Sequence, residues 1–256
     1  MGIKKWMQYA LVGAIMCAGF GCDDNETAHH TGDITMETTH FHKVEIDWRD
    51  GNVEIEQSTD NFLRAAEEGN IAKTDGLCYR VEEDTLHICD CKNARAHSRT
   101  QGKTLHVELP SNLALEIEGK NVEITMGILE MKTLSIETGS GNISVEKMQC
   151  AAAELETQSG GIYVGELHAN TLDLETDSGE VKLGLSKPTR AEISTKTGDA
   201  HLFLLGETGA RLHFKTNKGQ LHSKRVFVKQ DGYYDYAGKT TSRINVETKT
   251  GDLYIE

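Results

Sequence analysis

Proline is nearly missing from this chain, with 2 residues in 256, whereas glycine occurs 25 times. Glycine must therefore do positional work in the turns, where its missing Cβ permits backbone conformations that other residues resist. Aromatic residues contribute only 6% and apolar residues 38%, lean values for a globule with a thick core. Cations are outnumbered, 27 lysines and arginines against 40 aspartates and glutamates, for a formal net charge of −13. A surface this acidic repels nucleic acid and anionic lipid headgroups, and no basic patch interleaved with aromatics offsets it. DNA and RNA are excluded as partners on that ground. Cysteines at CxxC spacing and histidines at HxxxH spacing are also lacking, so no metal or cofactor is expected. The apolar stretch from Trp6 to Phe20 is shorter than the roughly 20 residues a transmembrane helix needs.

What that stretch does have is the layout of an export signal. Lys4 and Lys5 precede it, and Gly19-Phe20-Gly21-Cys22 closes it with small residues suited to signal-peptidase cleavage. A cysteine directly after the cut resembles the bacterial lipoprotein box, in which the thiol is acylated. Gly19 and Phe20 depart from that box, which leaves plain secretion or an uncleaved anchor as alternatives. Residues 1–21 are read as a signal peptide, Cys22 as the lipidation site, and 22–42 as an acidic, histidine-containing linker. Removing 1–21 takes away Lys4, Lys5 and no acid. The expected product is a membrane-anchored lipoprotein on the outer side of the cytoplasmic membrane or at the cell surface.

The rest of the chain is governed by a repeat. Gly141, Gly160, Gly179, Gly198, Gly219 and Gly251 follow one another at spacings of 19, 19, 19, 21 and 32. Three residues before each stands a threonine: Thr138, Thr157, Thr176, Thr195, Thr216 and Thr248. Five and seven residues before, and two and four after, the positions are apolar apart from Ser223. Apolar residues two apart on both sides of a glycine corner mean strand, turn, strand, with one face inward and one outward. A fixed period near 20 residues is the mark of stacked coils, none of which can bury its apolar side alone. Each column then becomes a ladder with a step of about 4.8 Å. The threonines share the inward parity, and their hydroxyls can bond a backbone N–H in the following turn. No histidine or lysine recurs beside them as a base, so they are read as structural.

Weaker copies lie upstream. Gly51 has Val44, Ile46, Val53 and Ile55 at the same offsets, with Trp48 replacing the threonine. Leu115 to Gly119, followed by Val122 and Ile124, reads as a further corner shortened by two residues. Between them residues 57–112 break the period and suggest a hairpin-rich insertion, within which 58–69 is compatible with a short helix or a strand. The expected organisation is one domain over 43–256, with the regular repeats at 134–256.

Three segments carry a family resemblance: the opening KVEIDWRDGNVEIEQS, the middle YRVEEDTLHI and KTLHVELPSNLALEIEG, and the units IETGSGNISV, LETQSGGIYV, LETDSGEVKL and VETKTGDLYI. They are similar to a bacterial "putative adhesin" family of β-strand-repeat proteins, a domain of unknown function. The resemblance spans roughly residues 41–256 and implies an all-β, parallel, right-handed β-solenoid of about 19-residue coils, exposed outside the cell membrane. It brings no active site with it. The cysteines at 78–91 and the histidines near the start depart from the family pattern.

Four cysteines, Cys78, Cys89, Cys91 and Cys150, remain in the exported chain, and an oxidising compartment lets disulfides persist. A hairpin centred on Glu83-Asp84 with a two- or four-residue loop sets Cys78 opposite Cys89 and favours that bridge, although four cysteines permit three connectivities. A metal site from His87, Cys89 and Cys91 is the weaker alternative. His29, His30, His40 and His42 read as a solvated linker and strand edge, and His201 and His222 as an exposed pair in successive coils without acidic partners. Tyr233, Tyr234 and Tyr236 stand in the 32-residue spacing. They are candidates for stacking on sugars or anchoring a protein partner, against the plainer role of covering the solenoid end. Glu137, Glu156 and Glu175 form a column of acids, compatible with a polysaccharide-cleaving site but also with simple solubility. The expectation is a non-enzymatic adhesion, binding or scaffold module for a protein or glycan. An envelope-sensing or regulatory outer domain is the alternative, and a polysaccharide-active enzyme a more distant one.

Overall fold

The structure, a computed structural model, describes residues 30–69, 77–90, 103–187, 189–236, 238 and 240–256. Among these residues the chain is β throughout apart from a single 3-10 turn at Thr38–His40. Cys22, Cys91 and residues 1–29, on which the expected signal peptide and the start of the expected linker fall, lie outside the described residues.

The alternating pattern produces parallel coils that pair in register at the repeat distance. Ile143, Ser144 and Val145 lie beside Ile162, Tyr163 and Val164, and these beside Val181, Lys182 and Leu183. Nine coils are stacked among the described residues, at 43–57, 85–90 with 104–109, 114–130, 133–149, 152–168, 171–185, 190–204, 208–223 and 240–255, numbered coil 1 to coil 9 in that order. Apolar ladders fill the interior. Val44, Leu115, Leu134, Ala153, Leu172, Ala191, Ile244 and Leu212 form one continuous buried row. The stack is an all-β solenoid of parallel strands, as the repeat requires.

Spatial order departs from sequence order at both ends. Coil 1 is flanked by coils 2 and 3, so coil 2 is the outer one. Coil 9 lies between coils 7 and 8. The first and last coils of the domain are thus clamped on both edges instead of fraying. Residues 57–112 do not stay outside the stack, because Thr85–Asp90 and Thr104–Leu109 together build coil 2. Residues 62–68 form a strand, which packs antiparallel on coil 2 and carries Ile34–Glu37 on its other edge. At the opposite end Tyr233–Tyr236 packs antiparallel on coil 8, and Val228–Gln230 on it in turn. These antiparallel additions cover edges that parallel coils would leave open.

The corner glycines work by close approach more than by conformation. Gly141 adopts φ +123°, where a side chain is strained. Gly160, Gly179, Gly198, Gly251 and Gly219 show no such angle; instead a Cβ on each would overlap the carbonyl oxygen of the corner glycine one coil below. The threonines complete this lock. Thr157, Thr176 and Thr195 donate to the carbonyls of Gly141, Gly160 and Gly179 at 3.3, 3.0 and 3.4 Å. Gly198 N–H donates back to Thr195 at 3.0 Å and Gly219 N–H to Thr216 at 2.8 Å. The hydroxyls therefore tie coil to coil, in addition to the turn bond expected of them.

The upstream corner is full length, not shortened. Leu115 pairs with Leu134 and Ile124 with Ile143, while Gly119 falls in the threonine column and Val122 in the glycine column. Gly119 lies beside the fully buried Trp48, which stands at the threonine position of coil 1. The Lys103 ammonium lies 3.9 Å from the centre of the Trp48 ring and pairs with the buried Asp90, with Glu67 at 3.9 Å. Asp90 also accepts the Arg49 N–H at 3.0 Å. This buried cluster pins coil 2 to coil 1.

Candidate ligand-binding surface

Cys78 and Cys89 stand directly opposite each other across the Glu83-Asp84 turn, and both are disulfide-bonded. Cys150 is a buried free thiol whose pKa burial pushes up to about 11, so it is inert as a nucleophile at neutral pH.

His201 and His222 are not neighbours. The insertion of coil 9 places Tyr254 between them, with ring centroids 4.6 and 4.8 Å away and nearly parallel planes. Both histidines have acidic partners, Glu180 at 3.0 Å for His201 and Asp252 at 3.0 Å for His222. Both faces of the Tyr254 ring are covered by the two histidines, and His222 on the outermost coil remains exposed. The stack acts as a strut that ties coils 7, 9 and 8 together.

The three tyrosines of the end hairpin separate by strand parity. Tyr234 and Tyr236 are half-buried against the core, and the Tyr236 hydroxyl accepts from Arg225 Nη1 at 2.8 Å. Tyr233 points to the other side, where Arg211 lies 4.5 Å from its ring centre and His213 is tilted against it at 5.4 Å. The capping role thus belongs to Tyr234 and Tyr236, and Tyr233 is the one turned toward the open sheet face.

That sheet face has a charge pattern with two parts. Across the middle coils it carries Glu118, Glu137, Glu156 and Glu175 in one ladder and Glu154, Asp173 and Glu192 in the next. Burial first, then repulsion from Glu154, Glu175 and Glu192, pushes the Asp173 carboxyl up to about 6. Burial and neighbouring carboxylates raise Glu118 and Glu156 as well. At the far end the face changes sign. Arg190 lies beside Arg243, and Arg243 beside Arg211, all three exposed. Sequence reading passed over these arginines, although each stands eight residues before its corner glycine. A shallow groove of about 430 Å³ leads from Lys43 to Arg190, with Ala114, Thr133, Ala152 and Thr171 along it.

Parallel coils with inward ladders and capped ends define a β-solenoid-like protein. The chain belongs to the Toastrack DUF4097 family, whose profile matches residues 85–256. Coil 1 lies outside that match but inside the stack. No curated protein matches the chain. Among solved structures it is similar to a "putative cell adhesion protein" from Clostridium sporogenes ATCC 15579, at 13% identity and a TM-score of 0.41, covering 89% of this chain and 99% of that one. It is similar also to a "putative adhesin" from Parabacteroides distasonis ATCC 8503, at 11% identity and a TM-score of 0.48, covering 90% and 98%. A "putative lipid binding protein" from the same strain matches at 15% identity and a TM-score of 0.34, covering 87% and 96%. None of these names indicates an enzyme.

Proposed function

We propose that this protein is a non-catalytic binding module of the cell exterior, tethered by lipid on Cys22 and presenting the far end of its solenoid to a glycan or protein. The observation that carries the reading is the placement of Tyr233 and its cationic neighbours. His30 lies on the side of coil 2, whereas Tyr233 lies against coil 8 at the opposite end. Nine coils at about 4.8 Å per step separate the two by roughly 40 Å. A rigid arm of that length, anchored at one end and carrying an aromatic group beside arginine at the other, suits adhesion. Tyrosine and arginine are the side chains that most often anchor binding surfaces.

The test is a panel of glycans and matrix proteins screened against residues 23–256, with hydrolysis of the same glycans followed in parallel. Binding that weakens in Tyr233→Ala while folding is retained supports the reading. Turnover of a glycan overturns it in favour of an enzyme, and binding unaffected by Tyr233→Ala removes the far end from the argument. Mass spectrometry of the mature N-terminus decides the tether: an unmodified Cys22 removes it.

A further inference from the structure

The arginine row at the far end is unusual for this chain. On a protein of net charge −13, three arginines occupy neighbouring positions of one ladder, Arg190 to Arg243 to Arg211. Like charges directly opposite each other in a sheet are destabilising, and unlike the carboxylate ladders this row runs against the sign of the whole chain. Nor do the nearby carboxylates neutralise them. Glu192 accepts from the Asn245 side-chain amide at 2.7 Å, and Glu247 is paired with Lys215 at 2.6 Å. Of these three arginines only Arg211 has a carboxylate within 4 Å among the described residues, Asp235 at 3.9 Å. The forks of Arg190 and Arg243 are thus left to solvent, each able to hold a carboxylate or sulfate through two parallel hydrogen bonds.

The surroundings narrow the ligand. Arg211 covers one face of the Tyr233 ring, which stays partly exposed, and beyond Arg190 runs the groove past Thr171 and Ala152, flanked by Glu154, Asp173 and Glu192. Carboxylates beside a floor of small residues suit sugar hydroxyls, which donate hydrogen bonds to them. The same carboxylates repel a uniformly charged polymer or an anionic bilayer lying along the face. A glycan with sparse acidic groups satisfies all three zones. We propose that Arg190, Arg243 and Arg211 form a recognition strip for an acidic glycan, gripping a uronate or sulfate group while adjoining sugars pack on Tyr233 and enter the groove.

This inference rests on the binding-module reading and deepens it. The experiment measures calorimetric binding of three oligosaccharides to residues 23–256: a chain carrying one glucuronate, the same chain carrying one sulfate, and the neutral parent. At least one acidic chain should bind about tenfold or more tighter than the parent, and added salt should weaken it. Arg243→Gln should lose about tenfold, and Arg243→Lys nearly as much, since lysine cannot grip with two donors. Neither variant should lower the melting temperature. The two acidic chains tell carboxylate from sulfate recognition. Equal binding of neutral and acidic chains overturns the proposal, as does wild-type affinity in Arg243→Gln, or a loss of folding stability in that variant. If neutral glycans or matrix proteins bind and acidic chains do not, the strip falls and the binding-module reading stands. If nothing in the whole panel binds, both fall.

Discussion

Thr195→Val tests the lock between coils with little change of shape. The Thr195 side chain is 2% exposed, donates to Gly179 O at 3.4 Å and accepts from Gly198 N–H at 3.0 Å. Valine preserves the volume and removes both bonds. An amide left without its partner in this part-buried corner costs about 1–3 kcal/mol, and the longer bond to Gly179 adds less. A total near 2 kcal/mol is expected, which for a domain of this size lowers the melting temperature by about 4–8 °C. Thr195→Ser provides the control. It retains the hydroxyl and loses one methyl group, about 1 kcal/mol. Chemical denaturation of both variants, with an unchanged m-value, gives the comparison. Valine equal to or more stable than wild type would show that the column is kept for shape and that the hydrogen bonds between corners contribute nothing.

Further outcomes follow from the same contacts. Gly179→Ala places a methyl group into the Gly160 carbonyl; a loss of about 3 kcal/mol is expected by denaturation, as for an overpacked core. Asp90→Asn weakens the buried partner of Lys103, and an effect of about 3 kcal/mol should appear, with loss of hydrogen-exchange protection first in coils 1 and 2. Asp173 binds its proton more tightly folded, near pH 6, than unfolded, near 3.8, so its contribution is favourable below about pH 4 and is lost as pH rises through 6. Asp173→Asn should therefore raise stability at pH 7 by about 1 kcal/mol once solvent screening is allowed for, and leave it unchanged at pH 4. Peptide mapping without reductant should recover Cys78 and Cys89 in disulfide linkage and Cys150 as a free thiol; an alkylated Cys78 would contradict the hairpin geometry.

Much of the scaffold was legible because parallel in-register coils convert a sequence offset directly into a spatial column. The threonine, glycine and apolar columns at 134–256 could be read from spacing alone, and so could the facing positions of Cys78 and Cys89. The weaker corner at Leu115–Ile124 was misjudged because its glycine sits in the threonine column and Val122 in the glycine column. The offset of the alignment, not the length of the coil, had changed. The arginine strip was equally available in principle, at the position eight residues before each corner glycine. It went unseen because the same column holds Thr133, Ala152 and Thr171 in the preceding coils, so no recurring residue type marks it.

By itself, then, the sequence determined the coil, its inward and outward faces and its acidic outer surface, since these follow from local alternation with period two. Only the tertiary structure decided which coil lies beside which. A strand edge accepts any coil with matching columns, so nothing local distinguishes coil 8 from coil 9 as the neighbour of coil 7. That choice inserts Tyr254 between His201 and His222 and brings Arg190 against Arg243. It also hides Ile255 beneath the outermost coil, where Ser223, the break in the apolar column, is exposed without penalty. The order of stacking is set by pairing across more than 50 residues of chain, as between Arg190 and Arg243, and is therefore a property of the assembled core.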